Sequence, residues 1–316
     1  MFGGPPNTAG RRPAPLKRKC PLVHGTNLLL CSGEIGQIWP VRISVVTPSY
    51  RNSNWLKLCI ASVADQGGEV EHIVQDAGSD DGTLDWLLAD QRVQAFVEKD
   101  QGMYDAVNRG LRRASGEILA YLNCDEQYLP GALNGVHDFF QANPRVDVVF
   151  GDFVVVDARG DYLFHRKVQV PLKYHTWVAH LPAFTCAMFF RRTIIDEYKL
   201  FFDARLRAVG DGEWVLRLLK RRVSMAVLRR FTSTFTLTGN NLSAQPNARR
   251  ETQELFRSAP IWARKLKWLL ILHHRLRRLA GGIYFQRPFS YAIYAANSGQ
   301  QRRKFLVVRP TFRWQI

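Results

Sequence analysis

Two short stretches of this chain put acids where a ligand could meet them. In the first, the apolar run Ile118 to Leu122 ends abruptly in Asn123-Cys124-Asp125-Glu126. Burying a carboxylate without a partner is costly, so acids at the end of an interior strand hold a cation or a ligand, or else face water. The same residues also suit a solvated turn before Pro130, and at this level both readings stand. In the second, the run His72 to Gln75 ends in Asp76, with Gly78-Ser79 close behind. An acid so placed can accept a hydrogen bond from a nucleobase or a ribose. Neither G-x-G-x-x-G nor G-x-x-x-x-G-K-[ST] occurs, so no glycine cradle for phosphates is present. If a nucleotide binds, a divalent metal, Mg²⁺ or Mn²⁺, held by Asp125 is the candidate for neutralising its diphosphate.

Positioning such groups requires a sheet whose strand ends share one edge. Ile43 to Thr47 is a β-branched run closed by Pro48-Ser49-Tyr50, and Trp55 to Val63 has helical spacing. Further strands are expected at His72 to Gln75, Ala95 to Glu98 and Ile118 to Leu122. Helices are expected from Leu84 to Asp90 and over the face Met103, Val107, Leu111, Ala114. Strands alternating with helices at this interval predict an α/β domain with a mixed, mostly parallel central sheet. In such sheets ligands gather at the carboxyl ends of the strands. Beyond Pro130 the pattern predicts a helix to about Ala142, β-structure from Val146 towards Phe164, a loop from Arg207 to Gly212 opening a helix over Glu213 to Leu219, and short strands within 223–238.

Three runs, in order, resemble the inverting family 2 glycosyltransferases: ISVVTPSYRN (43–52), IVQDAGSDDGT (73–83) and EKDQGMYDAVNRGLRRASGEILAYLNCDE (98–126). The resemblance continues through FFRR (189–192) and GDGEW (210–214). The resemblance covers roughly 41–245 and is nearest to bacterial exopolysaccharide enzymes, including the colanic-acid type. It implies a GT-A type nucleotide-binding domain. It implies that Tyr50 and the backbone around Thr47 and Pro48 line the base pocket, that Asp76 bonds the base, typically uracil, and that Asp105 and Asn108 face the donor. Asp125 keeps the second acid of the family's D-x-D metal motif, while Asn123 replaces the first with an uncharged carbonyl oxygen. Asp211 occupies the place of the catalytic base, which takes the proton of the acceptor hydroxyl. Asp211 also suits a helix N-cap, and Glu213 is the competing base. Asp80 and Asp81 suit the turn they lie in. His180, Cys186 and Cys124 are expected to be packed rather than catalytic.

The formal charge is +17 over 316 residues, but it is unevenly spread. Residues 247–316 hold fifteen Lys/Arg against two Glu, whereas 41–246 hold 24 basic and 24 acidic residues. A nucleic-acid enzyme needs its basic surface beside its site, so nucleic acid is not the expected partner. The basic end, with Leu255, Ile261, Trp262, Leu266, Leu269 and Leu270 at helical spacing, predicts an amphipathic helical region against anionic lipid. No stretch reaches the ~18 apolar residues of a membrane span. Five widely spaced cysteines without a C-x-x-C pair suit a reducing compartment. The expected layout is a disordered basic leader (1–40), a catalytic domain (41–246) and a membrane-proximal region (247–316). The expected activity is transfer of a sugar from a UDP-sugar to a hydroxyl of a lipid-linked saccharide, at the inner face of the plasma membrane. The alternatives are a nucleotide-sugar-binding protein without transferase activity, prompted by Asn123, or a nucleic-acid-binding protein.

Overall fold

The computed structural model describes residues 42–239, 241, 246–295 and 301–313. The expected leader, 1–40, lies outside the described residues. The β-branched run near the start forms β1 (Ile43–Ser49), every residue of it buried. It pairs in parallel with β2 (Val70–Asp76) on one side and β4 (Ile118–Tyr121) on the other. β3 (Gln94–Val97) extends the parallel half beyond β2. Helices α1 (Ser53–Ala64), α2 (Thr83–Leu87) and α3 (Met103–Arg113) make the crossovers. Both faces of β1 and β4 are therefore covered, which is why β4 reads as a continuous apolar run and the polar residues of β1, Ser44, Thr47 and Ser49, are buried with side-chain partners.

Past β4 come the two-residue β5 (Gln127–Tyr128), α4 (Ala132–Ala142), β6 (Val148–Asp157) and β7 (Tyr162–Arg166). They are followed by α5 (Lys173–Val178), β8 (Met188–Arg191), α6 (Thr193–Asp196) and α7 (Gly210–Lys220). β9 (Met225–Leu237) closes this part. The strands run in the order β3-β2-β1-β4-β8-β6-β9-β5, with β7 on β6. β8 is antiparallel to both β4 and β6, so the sheet is mixed as expected. Where short strands were expected over 223–238, a single thirteen-residue strand runs. It stays continuous because it pairs with β6 along almost all of that strand's length, through a register shift at Gly151 to Phe153.

The basic end is helical only in its first part: α8 (Pro246–Arg257), α9 (Ile261–Lys265) and α10 (Lys267–Ala280). It then turns into an antiparallel hairpin, β10 (Phe289–Ile293) with β11 (Arg303–Val307). A helix from 247 onward was expected, and the hairpin departs from that. β-branched and aromatic residues such as Phe289, Tyr291 and Ile293 find a small apolar cluster with Leu129, Val154 and Val156. The hairpin is bolted to the parallel half of the fold. Arg302 donates to both carboxylate oxygens of Asp65 at 2.5 Å and to the carbonyls of Ser62, Tyr128 and Ala292. The Gln127 amide bonds the backbone of Tyr294 in both directions at 2.8 Å.

Candidate active site

Parallel pairing levels Ser49 with Asp76 and Val46 with Tyr121, so β1, β2 and β4 end at the same edge. α3 starts at that edge too, because it follows β3, which is parallel to β2. The acids singled out in the sequence are therefore gathered by topology.

Just past β4, Asn123 and Glu126 close a tight turn. The Glu126 amide donates to the Asn123 carbonyl at 3.0 Å, and the Asn123 amide to the Glu126 carboxylate at 2.8 Å. Two oxygens of this turn, Asn123 Oδ1 and Glu126 Oε1, are buried without a hydrogen-bond partner. Burial pushes the Glu126 carboxyl up to about 8 and that of Asp125 up to about 6, and at Glu126 the charges of Asp125 and Asp211 add to the rise. Crowded, half-satisfied oxygens of this kind fit a hard divalent cation, whose charge would reverse both shifts. Asn123 Oδ1 replaces charge with a carbonyl, which is still a competent oxygen ligand. No set of three acids closes on a common point here among the described residues. The remaining ligands would come from a bound diphosphate and water, the usual pattern for Mg²⁺.

Asp211 lies in the first turn of α7, which begins at Gly210, three residues ahead of the expected start at Glu213. Gly210 lies against the Tyr104 ring so closely that a Cβ there would come within 2.6 Å of it. That approach brings the Tyr104 hydroxyl to within 3.2 Å of the Asp211 amide, which donates to it. The Asp211 carboxylate accepts the Gly212 amide at 2.8 Å, and burial raises its pKa above the ordinary 3.8. The competing acid, Glu213, is engaged by Arg217 one turn on, at 2.8 and 2.9 Å. Beneath the site the aromatic rings interlock. Phe202 stacks on Tyr104 at 5.7 Å and on Trp214 at 4.7 Å, and meets Tyr121 edge-on at 5.3 Å. This stack ties α3, β4 and α7 into one floor.

The remaining expected residues divide. Asp76 is fully buried, and four donors fill its carboxylate: Ser49 Oγ, Ser79 Oγ and the amides of Gly78 and Ser79, at 2.7–2.9 Å. Tyr50 is half exposed, with the Arg51 guanidinium 5.1 Å from its ring. Thr47 and Pro48 are buried within β1, and the Thr47 hydroxyl turns to His72 at 2.9 Å. Asp105 accepts the Gln101 amide and pairs with Arg109 at 2.9 Å. The structure gives Asn108 a different task from the one expected: its amide bonds the backbone N–H and carbonyl of Phe202, at 2.9 and 2.8 Å, and holds the aromatic floor. Asp80 clasps Arg51 through two bonds, and Asp81 anchors the amides of Ser53 and Thr83.

One positioning residue escaped the sequence reading. Glu251 of α8 is buried and accepts the amides of Arg207, Ala208 and Val209 at 2.8–3.1 Å, fixing the loop that delivers Asp211. Its signal in the sequence was faint: one of only two acids in a stretch of fifteen basic residues.

Residues 44–199 match the family described as Glycosyl transferase family 2. An uncharacterized glycosyltransferase of Nostoc sp. is 29% identical over 187 residues, 54% of this chain and 58% of that protein. The chain spans about half the length of the curated relatives it matches. Among solved structures, S. aureus TarS 1–349 in complex with UDP-GlcNAc superposes with a TM-score of 0.55 at 17% identity, over 76% of this chain and 73% of that one. The mannosyltransferase PcManGT from Pyrobaculum calidifontis, in complex with GDP-Man and Mn²⁺, gives 0.50 at 15% identity over 78% and 80%. The fold is thus the GT-A type, and within it residues 44–199, just under half of the chain, match the glycosyl transferase family 2 pattern.

Proposed function

From the premise of a family 2 domain on a GT-A fold, we propose that this protein is an inverting glycosyltransferase. It uses a nucleotide-diphosphate sugar, with uridine as the nucleoside, and a hydroxyl of a lipid-linked saccharide as acceptor, in the synthesis of a bacterial surface polysaccharide. The observation that carries the reading is the meeting of two unlike acid groups at one sheet edge. One is a turn with two unsatisfied oxygens, on Asn123 and Glu126, and Asp125 between them; the other is a single raised carboxylate at Asp211. Asp125, with Asn123 Oδ1 and Glu126 beside it, would hold Mg²⁺ or Mn²⁺. The metal supplies charge neutralisation of the departing diphosphate. Asp211 takes the proton of the acceptor hydroxyl as that oxygen attacks the anomeric carbon from the face opposite the leaving group. A raised pKa suits this role, because the proton must be accepted near neutral pH. The base is recognised at Tyr50 and along the backbone of Thr47 and Pro48. Asp76 presents the turn of Gly78 and Ser79 and exchanges one of its four bonds for the base. Asp105, at the start of α3, faces the donor.

Membrane attachment at the inner leaflet belongs to the same proposal. No described helix is long and apolar enough to cross a membrane. Instead α9 and α10 expose Ile261, Trp262, Leu266, Trp268, Leu272 and Leu276 in one stripe, 42–63% accessible, flanked by Arg264, Lys265, Lys267 and Arg275. That is the make-up of a helix lying in an anionic headgroup layer.

The deciding test is to incubate the protein with a set of nucleotide sugars, with and without Mn²⁺, and follow both thermal protection and release of nucleoside diphosphate. Protection by a UDP-sugar with metal-dependent UDP release is expected. Protection without release across a broad acceptor panel would favour a binding protein without transferase activity.

A further inference from the structure

Three histidines that the acid site does not use meet in the seam between α5 and α10. His175 lies in α5, His180 two residues past its end and His274 in α10. One ring nitrogen of each lies within 4.8 Å of those of the other two. The His175 and His274 rings stack at 3.9 Å between centroids, and His180 meets His175 edge-on at 4.8 Å. His175 and His274 are 1% and 2% exposed, and both nitrogens of both rings lack a hydrogen-bond partner. A neutral imidazole carries one donor and one acceptor, and buried polar groups are satisfied with few exceptions. Four orphaned nitrogens at one point call for a ligand.

We infer that His175, His180 and His274 form a transition-metal site of the Zn²⁺ class that fastens α10 onto α5. Three imidazoles with a fourth position left for water or an anion is an established coordination set for zinc. Nitrogens sharing one tetrahedral zinc lie about 3.4 Å apart, given bonds of about 2.0–2.1 Å, so side-chain rotation closes the set. His180, on the exposed side, gives the ion a way in. Arg277 and Arg278 on α10, with Arg166 and Lys267 nearer His180, surround the cluster, and their positive charge selects an anionic fourth ligand. Nitrogen donors favour zinc and its neighbours over Mg²⁺ and Mn²⁺, so this site and the oxygen-lined turn at Asp125 take different ions. α5 packs against α7, which carries Asp211, and against α8, which carries Glu251. The ion therefore braces the layer behind the site and takes no part in transfer.

The test uses the full chain without a histidine tag. After loading with Zn²⁺ and exhaustive dialysis, elemental analysis is expected to find about one zinc per chain. Titration with Co²⁺ is expected to give the intense visible bands of a tetrahedral nitrogen site. His180→Ala, a change at an exposed position, is expected to weaken zinc binding about tenfold or more and to keep the fold. His175→Asn and His274→Asn are expected to abolish the Co²⁺ bands, while Asp125→Ala leaves them intact. Absence of both stoichiometric zinc and Co²⁺ bands in the parent protein overturns the inference, whether or not the variants fold. Bands that persist in His180→Ala and vanish in Asp125→Ala overturn it too, because the ion would then belong to the acid turn.

Discussion

At the scale of the residue, the site turns on which carboxylates are committed and which are spare. Glu213 is clasped by Arg217, and Asp76 is saturated by four donors, whereas the Asp211 carboxylate is held by the neutral Gly212 amide and Tyr104 hydroxyl and no salt bridge reaches it among the described residues. Replacing Asp211 with Asn should lower transfer by about 10²- to 10⁴-fold while donor protection in thermal melts persists. Equal loss in Glu213→Gln would move the base to that residue. Asp211 also predicts a pH effect. Its folded pKa is raised above 3.8 by burial, so the native state binds a proton more tightly than the unfolded chain. That stabilisation is complete below pH 3.8 and is lost as pH rises through the raised folded value. Asp211→Asn removes the effect. Its melting temperature should therefore gain on that of the parent as pH is raised from acid to neutral, and parallel curves would refute the assignment. In the parent, the acidic limb of the rate profile should lie above pH 3.8.

At the scale of the element, the loop that delivers Asp211 is held from both sides. From α8, the two carboxylate oxygens of Glu251 accept three amides, and Gly210 lets α7 start against Tyr104. Glu251→Ala leaves three amides without acceptors, at a cost of roughly 1–3 kcal/mol for each that stays buried. Reduced turnover with little change in donor affinity is expected, measured by steady-state kinetics beside a denaturant melt. Gly210→Ala should be worse for turnover than for folding, since the methyl group pushes Tyr104 away from the Asp211 amide. The hairpin offers a separate check. Arg302→Ala removes five hydrogen bonds at once, and faster hydrogen exchange is expected over 289–293 and 303–307, with β1 and β2 unaffected. Exchange unchanged in the hairpin would show that its apolar contacts alone hold it.

At the scale of the whole molecule, the proposed function divides chemistry and placement between the acid edge and the apolar stripe of α9 and α10. Changing Trp268 and Leu272 together to Asp should abolish co-sedimentation with vesicles rich in anionic lipid and leave UDP release from the donor near the parent level. Retained sedimentation would remove the membrane from the account. Much of this was legible beforehand. Apolar runs alternating with helical faces disclosed the α/β sheet, because strands covered on both faces, such as β4, are apolar throughout. The motif order placed Asp76, Asp125 and Asp211 at strand ends and at a helix start. Local sequence could not say which of the polar groups were already satisfied. That depends on partners far along the chain: Asn108 is taken by Phe202, and the 207–209 amides are taken by Glu251. Nor could it bring His175 and His180 to His274, nearly a hundred residues away. The sequence by itself determined the sheet and its acid-bearing edge, because periodicity and strand-end chemistry are local. Only the tertiary structure decided which oxygens are left unsatisfied, which acid is spare and where the histidines meet, because hydrogen-bond saturation and burial are set by contacts the chain makes with itself at a distance.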